Sequence, residues 1–254
     1  MSASARRAGV AMLLVLATVA TSVPAVAAPV DLVVQAQETN DRRVIATSPQ
    51  GRPIVARHYG AADAPVQIVV IGQMHGNEAG GRKVVRVLES GPVPEGVGLW
   101  LITSLNPDGY HADTRANARG VDLNRNFPTA WERSRRGGLF WSGRRPASEP
   151  ETRGIMRFLT RERPTAVLSL HQAYDVVDIS HRRGREAGRK LARWMGERAR
   201  VVGCSGRCHG TMTQWIDRSL QAIALTVELD RSVSDREARV AAGAVLRLGR
   251  WLGG

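Results

Sequence analysis

Four short, almost unbroken apolar runs fix the class of fold this chain can adopt. They are residues 66–71, 99–105, 166–170 and 223–229. Each is too short for a buried helix and lacks the in–out alternation of a half-exposed strand. They read as strands buried on both faces, the pattern of parallel pairing. Between them lie segments with helical spacing. Residues 79–90 carry Val84, Val85 and Leu88 on one face, and 151–161 stop just before Pro164. Residues 184–202 read as an amphipathic, arginine-studded helix, and 235–252 as a closing helix capped by Ser234. A hairpin is expected where 44–46 and 53–58 flank Ser48-Pro49-Gln50-Gly51. Strands alternating with helices predict an α/β fold: one domain, with a mixed, mostly parallel twisted sheet flanked by helices on both faces. No internal repeat, proline-rich linker or second composition regime divides residues 28–254.

Ligand sites of open α/β sheets lie beyond the carboxyl ends of the strands. The run 66–71 leads into Gly72-Gln73-Met74-His75-Gly76-Asn77-Glu78, 166–170 leads into His171, and 223–227 leads into Glu228. Three strands thus deliver His, Glu, His and Glu toward one edge. Imidazole nitrogens and a carboxylate oxygen suit zinc at about 2.0–2.2 Å, and a catalytic zinc takes three protein ligands with one position open. His75, Glu78 and His171 supply that set. Glu228 remains as the carboxylate base that metal-assisted hydrolysis needs.

Residues 106–147 are rich in Gly, Asn, Arg and Pro, with little periodicity. A loop of this length inside a compact domain is usually functional. It contains Arg115 and the string Gly120-Val-Asp-Leu-Asn-Arg-Asn-Phe127. With His75-Gly-Asn-Glu78, Asn106-Pro-Asp-Gly109, Ser148-Glu-Pro-Glu151, Ser169-Leu-His171 and Thr226-Val-Glu228, it resembles the zinc carboxypeptidase family, in the family's order. The resemblance implies a carboxypeptidase A-like fold with one zinc per chain on His75, Glu78 and His171. It implies Glu228 as the group that moves a proton from water to the leaving amine, and Arg115 as the stabiliser of the oxyanion. It gives Asn124 and Arg125 the substrate carboxylate, and Asp122 the orientation of the first zinc histidine.

Two features are similar to the bacterial murein peptide amidase branch. No tyrosine lies between Gly203 and Leu225, where typical family carboxypeptidases carry one, and Gly210-Thr-Met-Thr-Gln-Trp215 resembles that branch's segment. That resemblance implies a peptide substrate derived from peptidoglycan, cut between γ-D-glutamate and meso-diaminopimelate. The alternatives are a general metallocarboxypeptidase and a non-catalytic, basic wall-binding protein. No cofactor other than the metal is expected.

The first segment reads as an address. Arg6 and Arg7 precede an apolar centre at 10–20, and Ala25-Val26-Ala27 offers the small residues a signal peptidase reads. We expect residues 1–27 to be a cleavable signal peptide and 28–254 an exported catalytic domain. The chain carries a formal charge of +13, nearly all from arginine, since Lys83 and Lys190 are its only lysines. An exported protein this basic is expected to meet anionic wall polymers. Aromatics make up only 5%, too few for a single-strand stacking platform, and no nucleic-acid partner is expected. The two cysteines, Cys204 and Cys208, are expected to form a disulfide in an oxidising compartment.

Overall fold

A computed structural model describes residues 38–202 and 208–254. The expected signal peptide and Cys204 lie outside these residues. Cys208 is disulfide-bonded.

The described chain builds an eight-stranded sheet. Its elements are β1 (Glu38–Thr47), β2 (Pro53–Gly60), β3 (Val66–Ile71), α1 (Gly80–Ser90), β4 (Val97–Ile102), α2 (Pro107–His111), α3 (Pro150–Glu162), β5 (Ala166–Gln172), β6 (Val176–Asp178), α4 (Arg185–Met195), β7 (Arg198–Arg200), α5 (Met212–Ser219), β8 (Ile223–Leu229) and α6 (Asp235–Gly253). The strand order is β1-β2-β4-β3-β5-β8-β6-β7. The four central strands are parallel. The hairpin β1–β2 joins antiparallel to β4, and β6 runs antiparallel to β8.

Side chains of a strand alternate between faces with period two. On one face Ile68, Val70, Leu99, Leu101, Leu168 and Leu225 pack against α1, α4 and α6. On the other, Val69, Ile71, Trp100, Ile102 and Val167 pack against α3 and α5. Both faces are covered, and this is why the sequence runs are unbroken.

Three boundaries differ from the sequence reading. The run expected at 99–105 is β4 at Val97–Ile102. The helix expected at 184–202 ends at Met195. Gly196 then takes φ +81°, a left-handed conformation that favours glycine, and the chain turns into the short edge strand β7. Helical spacing alone did not register that break. β5 runs on to Gln172, so His171 lies inside it rather than just after it, while β8 coincides with the expected 223–229 run.

Helix α3 is tied to the 106–147 loop through a buried acid pair. Asn117 Nδ2 donates to Glu149 Oε2 at 2.9 Å and to Glu151 Oε1 at 3.2 Å. Glu151 is fully buried and its Oε2 has no partner. Burial pushes its carboxyl up to about 7. A folded-state value above the unfolded one means the fold holds the proton more tightly. Stability is then full below the ordinary carboxylate range, falls as pH rises to about 7, and is flat above it. The total loss is about 3 kcal/mol. Glu151→Gln should abolish this slope. In urea unfolding of the metal-free chain it should match wild type near pH ~4.5 and exceed it by about 1–3 kcal/mol near pH ~8. Equal stabilities at both pH values would refute this account.

Candidate metal centre and active site

The loop after β3 places the first two candidate ligands. A turn closes it, with Glu78 N donating to His75 O at 3.1 Å. Gly76 lets this turn lie against α2: a Cβ there would sit 1.9 Å from the Gly109 carbonyl carbon. His75 Nδ1 and Glu78 Oε2 are 2.8 Å apart. From β5, His171 Nδ1 reaches the same Glu78 Oε2 at 2.9 Å and lies 3.2 Å from His75 Nδ1. All three side chains are buried.

The rear of each ring is also held. His75 Nε2 lies 3.0 Å from Asp122 Oδ1, and His171 Nε2 lies 3.0 Å from Ser169 Oγ. A histidine whose outer nitrogen is engaged in this way presents its other nitrogen in a fixed direction. Two imidazole nitrogens 3.2 Å apart crowd each other: two protons there would have to share one carboxylate oxygen, and two bare lone pairs repel. A cation between them and the carboxylate satisfies all three. The donor set therefore fits zinc. Burial pulls the His75 imidazole down, but Asp122 and Glu78 outweigh it and raise its pKa. Burial pushes Glu78 up, but the two histidines hold it well below the usual carboxylate range.

Asp122 organises the second wall. It caps the single 3-10 turn Leu123–Arg125, accepting from Asn124 N at 2.9 Å. Its other oxygen accepts from Arg115 Nε at 3.1 Å and Nη2 at 3.0 Å. Arg115 Nη1 also donates to Glu78 Oε1 at 3.0 Å. Burial pushes Asp122 up, but His75 foremost, with Arg115 and Arg125, holds it far below its ordinary value. Arg125 is 9% exposed, donates through Nη1 to Asn124 O, and leaves Nε with no partner. Burial pulls its pKa down. The Phe140 ring lies near both guanidinium groups, 5.3 Å from Arg115 and 5.2 Å from Arg125. Asn124 Oδ1 accepts from Met212 N at 3.0 Å, which leaves its amide NH2 as the donor.

Glu228 stands beside the metal ligands because β8 pairs with β5 in register, His171 opposite Glu228. Its Oε2 is buried with no hydrogen-bond partner. Burial raises its pKa, Glu78 adds to the rise, and His171, His75 and Arg115 oppose it. The three candidate ligands, Arg115, Asn124, Arg125 and Glu228 line one cavity of about 1050 Å³. Every active-site residue expected from the sequence is thus at one site, with Asp122 directly behind it.

The sequence reading missed part of the cavity's lining. Asp178, the last residue of the three-residue strand β6, lines it with Ser180 and His181, which follow the strand. Asp178 Oδ1 accepts from Ser180 N at 2.8 Å, from Ser180 Oγ, and from Val202 N at 3.1 Å. Among the described residues its Oδ2 has no partner. The only sequence signal was the pair Val176-Val177 before an acid, too short to stand out. Tyr174, 68% exposed, is the tyrosine at this cavity.

Comparison with known proteins agrees with this geometry. Murein peptide amidase A of Escherichia coli strain K12 is 31% identical over 163 residues, 59% of this chain and 66% of that enzyme, just under two thirds of its length. Carboxypeptidase SOL1 of Arabidopsis thaliana is 33% identical over 124 residues, 44% of this chain and 24% of that protein. The solved murein-tripeptide amidase MpaA of Escherichia coli O157 superposes with a TM-score of 0.68 at 24% identity, covering 86% of this chain and 94% of that one. Carboxypeptidase A of Helicoverpa armigera gives 0.70 at 16% identity, over 84% and 68%. A zinc carboxypeptidase family model matches residues 94–233, more than half of the sequence, and the chain belongs to that family.

Proposed function

We propose that this chain is an exported zinc-dependent amidase that cuts cell-wall peptides between γ-D-glutamate and meso-diaminopimelate. The observation that carries the reading is Arg125: a buried guanidinium with an unpartnered Nε, facing the cavity that holds the metal ligands. A buried cation of this kind needs an anion, and its planar fork matches a carboxylate. Asp178 lines the same cavity, and its Oδ2, without a partner among the described residues, can receive an ammonium group. Diaminopimelate has a carboxylate beside the scissile bond and an amine on its distal carbon, so it answers both groups. The similarity to murein peptide amidases supports the same substrate. The signal-like segment 1–27 supports action outside the cytosol.

His75, Glu78 and His171 would hold the zinc. When bound, zinc supplies Lewis acidity, polarising the scissile carbonyl and acidifying water. Arg125 and the Asn124 amide grip the substrate carboxylate and fix the bond's position. Arg115 offers its charge to the oxygen that becomes negative. Glu228 accepts the proton of the attacking water and returns it to the leaving amine. Its pKa, raised by burial, suits both halves of that transfer. Phe140 lies against both arginines and lines the same cavity.

The test is hydrolysis of L-Ala-γ-D-Glu-meso-diaminopimelate, with and without chelator, read by mass spectrometry. Release of diaminopimelate that stops on chelation is expected. Release of C-terminal L-amino acids from ordinary peptides, with the muropeptide left intact, would replace this reading with a general carboxypeptidase.

A further inference from the structure

Residues 131–145 form a loop whose Leu139 and Phe140 line the active-site cavity, and the chemistry above uses little of it. It carries Arg133, Arg135, Arg136, Arg144 and Arg145 against one acid, Glu132. All five arginines are exposed, and none makes an ion pair among the described residues. Glu132 pairs with none of them; its Oε1 lies 3.2 Å from His209 Nδ1. Arg136 lies over the buried Trp141, 5.6 Å from its ring centre.

The loop is nevertheless firmly built. Its limbs are cross-tied where Ser142 N donates to Ser134 Oγ at 2.7 Å and Ser142 Oγ donates to Glu132 O at 2.7 Å. Trp131 Nε1 and Asn126 Nδ2 both donate to Ser142 O. Like charges held this close repel, so a fold that stiffens such a loop presents a preorganised cationic surface.

We propose that loop 131–145 is a docking surface for a linear polyanion of closely spaced phosphate groups. Guanidinium forks match phosphate oxygens two at a time. Arginines on two adjacent limbs suit a chain of charges better than one small anion. A membrane surface is the competing outcome of the test: Leu139, 64% exposed, is the loop's one exposed apolar side chain, a small anchor beside five arginines, since Phe140 lies against Arg115 and Arg125. The inference does not depend on which peptide bond is cut.

The test measures binding of the purified chain to long-chain inorganic polyphosphate and to phosphatidylglycerol vesicles at rising salt. The loop variant R133Q/R135Q/R136Q/R144Q is compared with R236Q/R239Q/R247Q/R250Q. The second set has the same net charge, with the changes placed at exposed positions of α6. Wild type and the α6 variant should bind polyphosphate, more weakly as salt rises. The loop variant should lose about tenfold or more in affinity. All three should turn over a small peptide equally, which also establishes that they fold. Equal losses in both variants would assign binding to net charge and overturn the proposal. So would preference for the vesicles, or no polyphosphate binding by wild type.

Discussion

Glu228→Gln is expected to lower kcat by about 10²–10⁴-fold while the chain still binds one zinc. The expectation follows from what Gln keeps and what it removes. It keeps the volume and the position in β8, opposite His171. Glu228 Oε2 has no hydrogen-bond partner, so the exchange breaks no contact there. It removes the only property the reaction needs, a carboxylate that takes a proton and gives it back. The lost rate corresponds to about 3–5 kcal/mol of transition-state stabilisation. KM should change little, because Asn124 and Arg125 still hold the substrate carboxylate. Steady-state kinetics on the tripeptide and zinc content by elemental analysis check both halves. A variant retaining more than about a tenth of wild-type kcat would remove Glu228 from the proton-transfer role.

The site was legible in the sequence because its residues stand at strand ends, where apolar runs mark the strands. His171 and Glu228 each follow five residues of strand, and the loop after β3 is short, so three points in the sheet converge without ambiguity. Asp122, Asn124 and Arg125 were readable only through resemblance, since their loop has no periodicity to place them. The part of the cavity lined by Asp178 was not legible. Asp178 rides on a three-residue strand whose pairing with β8 is a tertiary fact. The short length of α4 was missed for a related reason. Arginines continue past Met195 at 198 and 200, the two-residue spacing of a strand too short to stand out, and the left-handed Gly196 redirects the chain toward β7. Hydrophobic patterning finds what is buried on a regular element, while short edge strands depend on neighbours distant in sequence.

His75→Ala is expected to reduce zinc content to background and abolish turnover, with no recovery in excess zinc. Three protein ligands are the minimum of a catalytic zinc site, and the two that remain bind far more weakly. Asp122→Asn separates this ligand role from the role of the residue behind it. Asp122 Oδ1 accepts from His75 Nε2, which leaves the Nδ1 lone pair aimed at the metal position. The other oxygen accepts from Arg115, and Oδ1 also accepts from Asn124 N. Asn has one acceptor oxygen for these donors. If its NH2 faces His75, the ring must accept at Nε2 and carry its proton at Nδ1, the wrong tautomer for binding. If its NH2 faces Arg115 instead, two donors oppose each other. Either way zinc affinity should fall by about 10–100-fold. Chelator competition should measure that loss directly, and excess zinc should restore most of the turnover. Unchanged affinity in Asp122→Asn would mean that His75 is oriented by its β3 loop alone. Lost affinity without rescue would mean that Asp122 acts chiefly by holding Arg115 for the oxyanion. Only loss with rescue fits a carboxylate whose main work is to fix the tautomer of the ring in front of it.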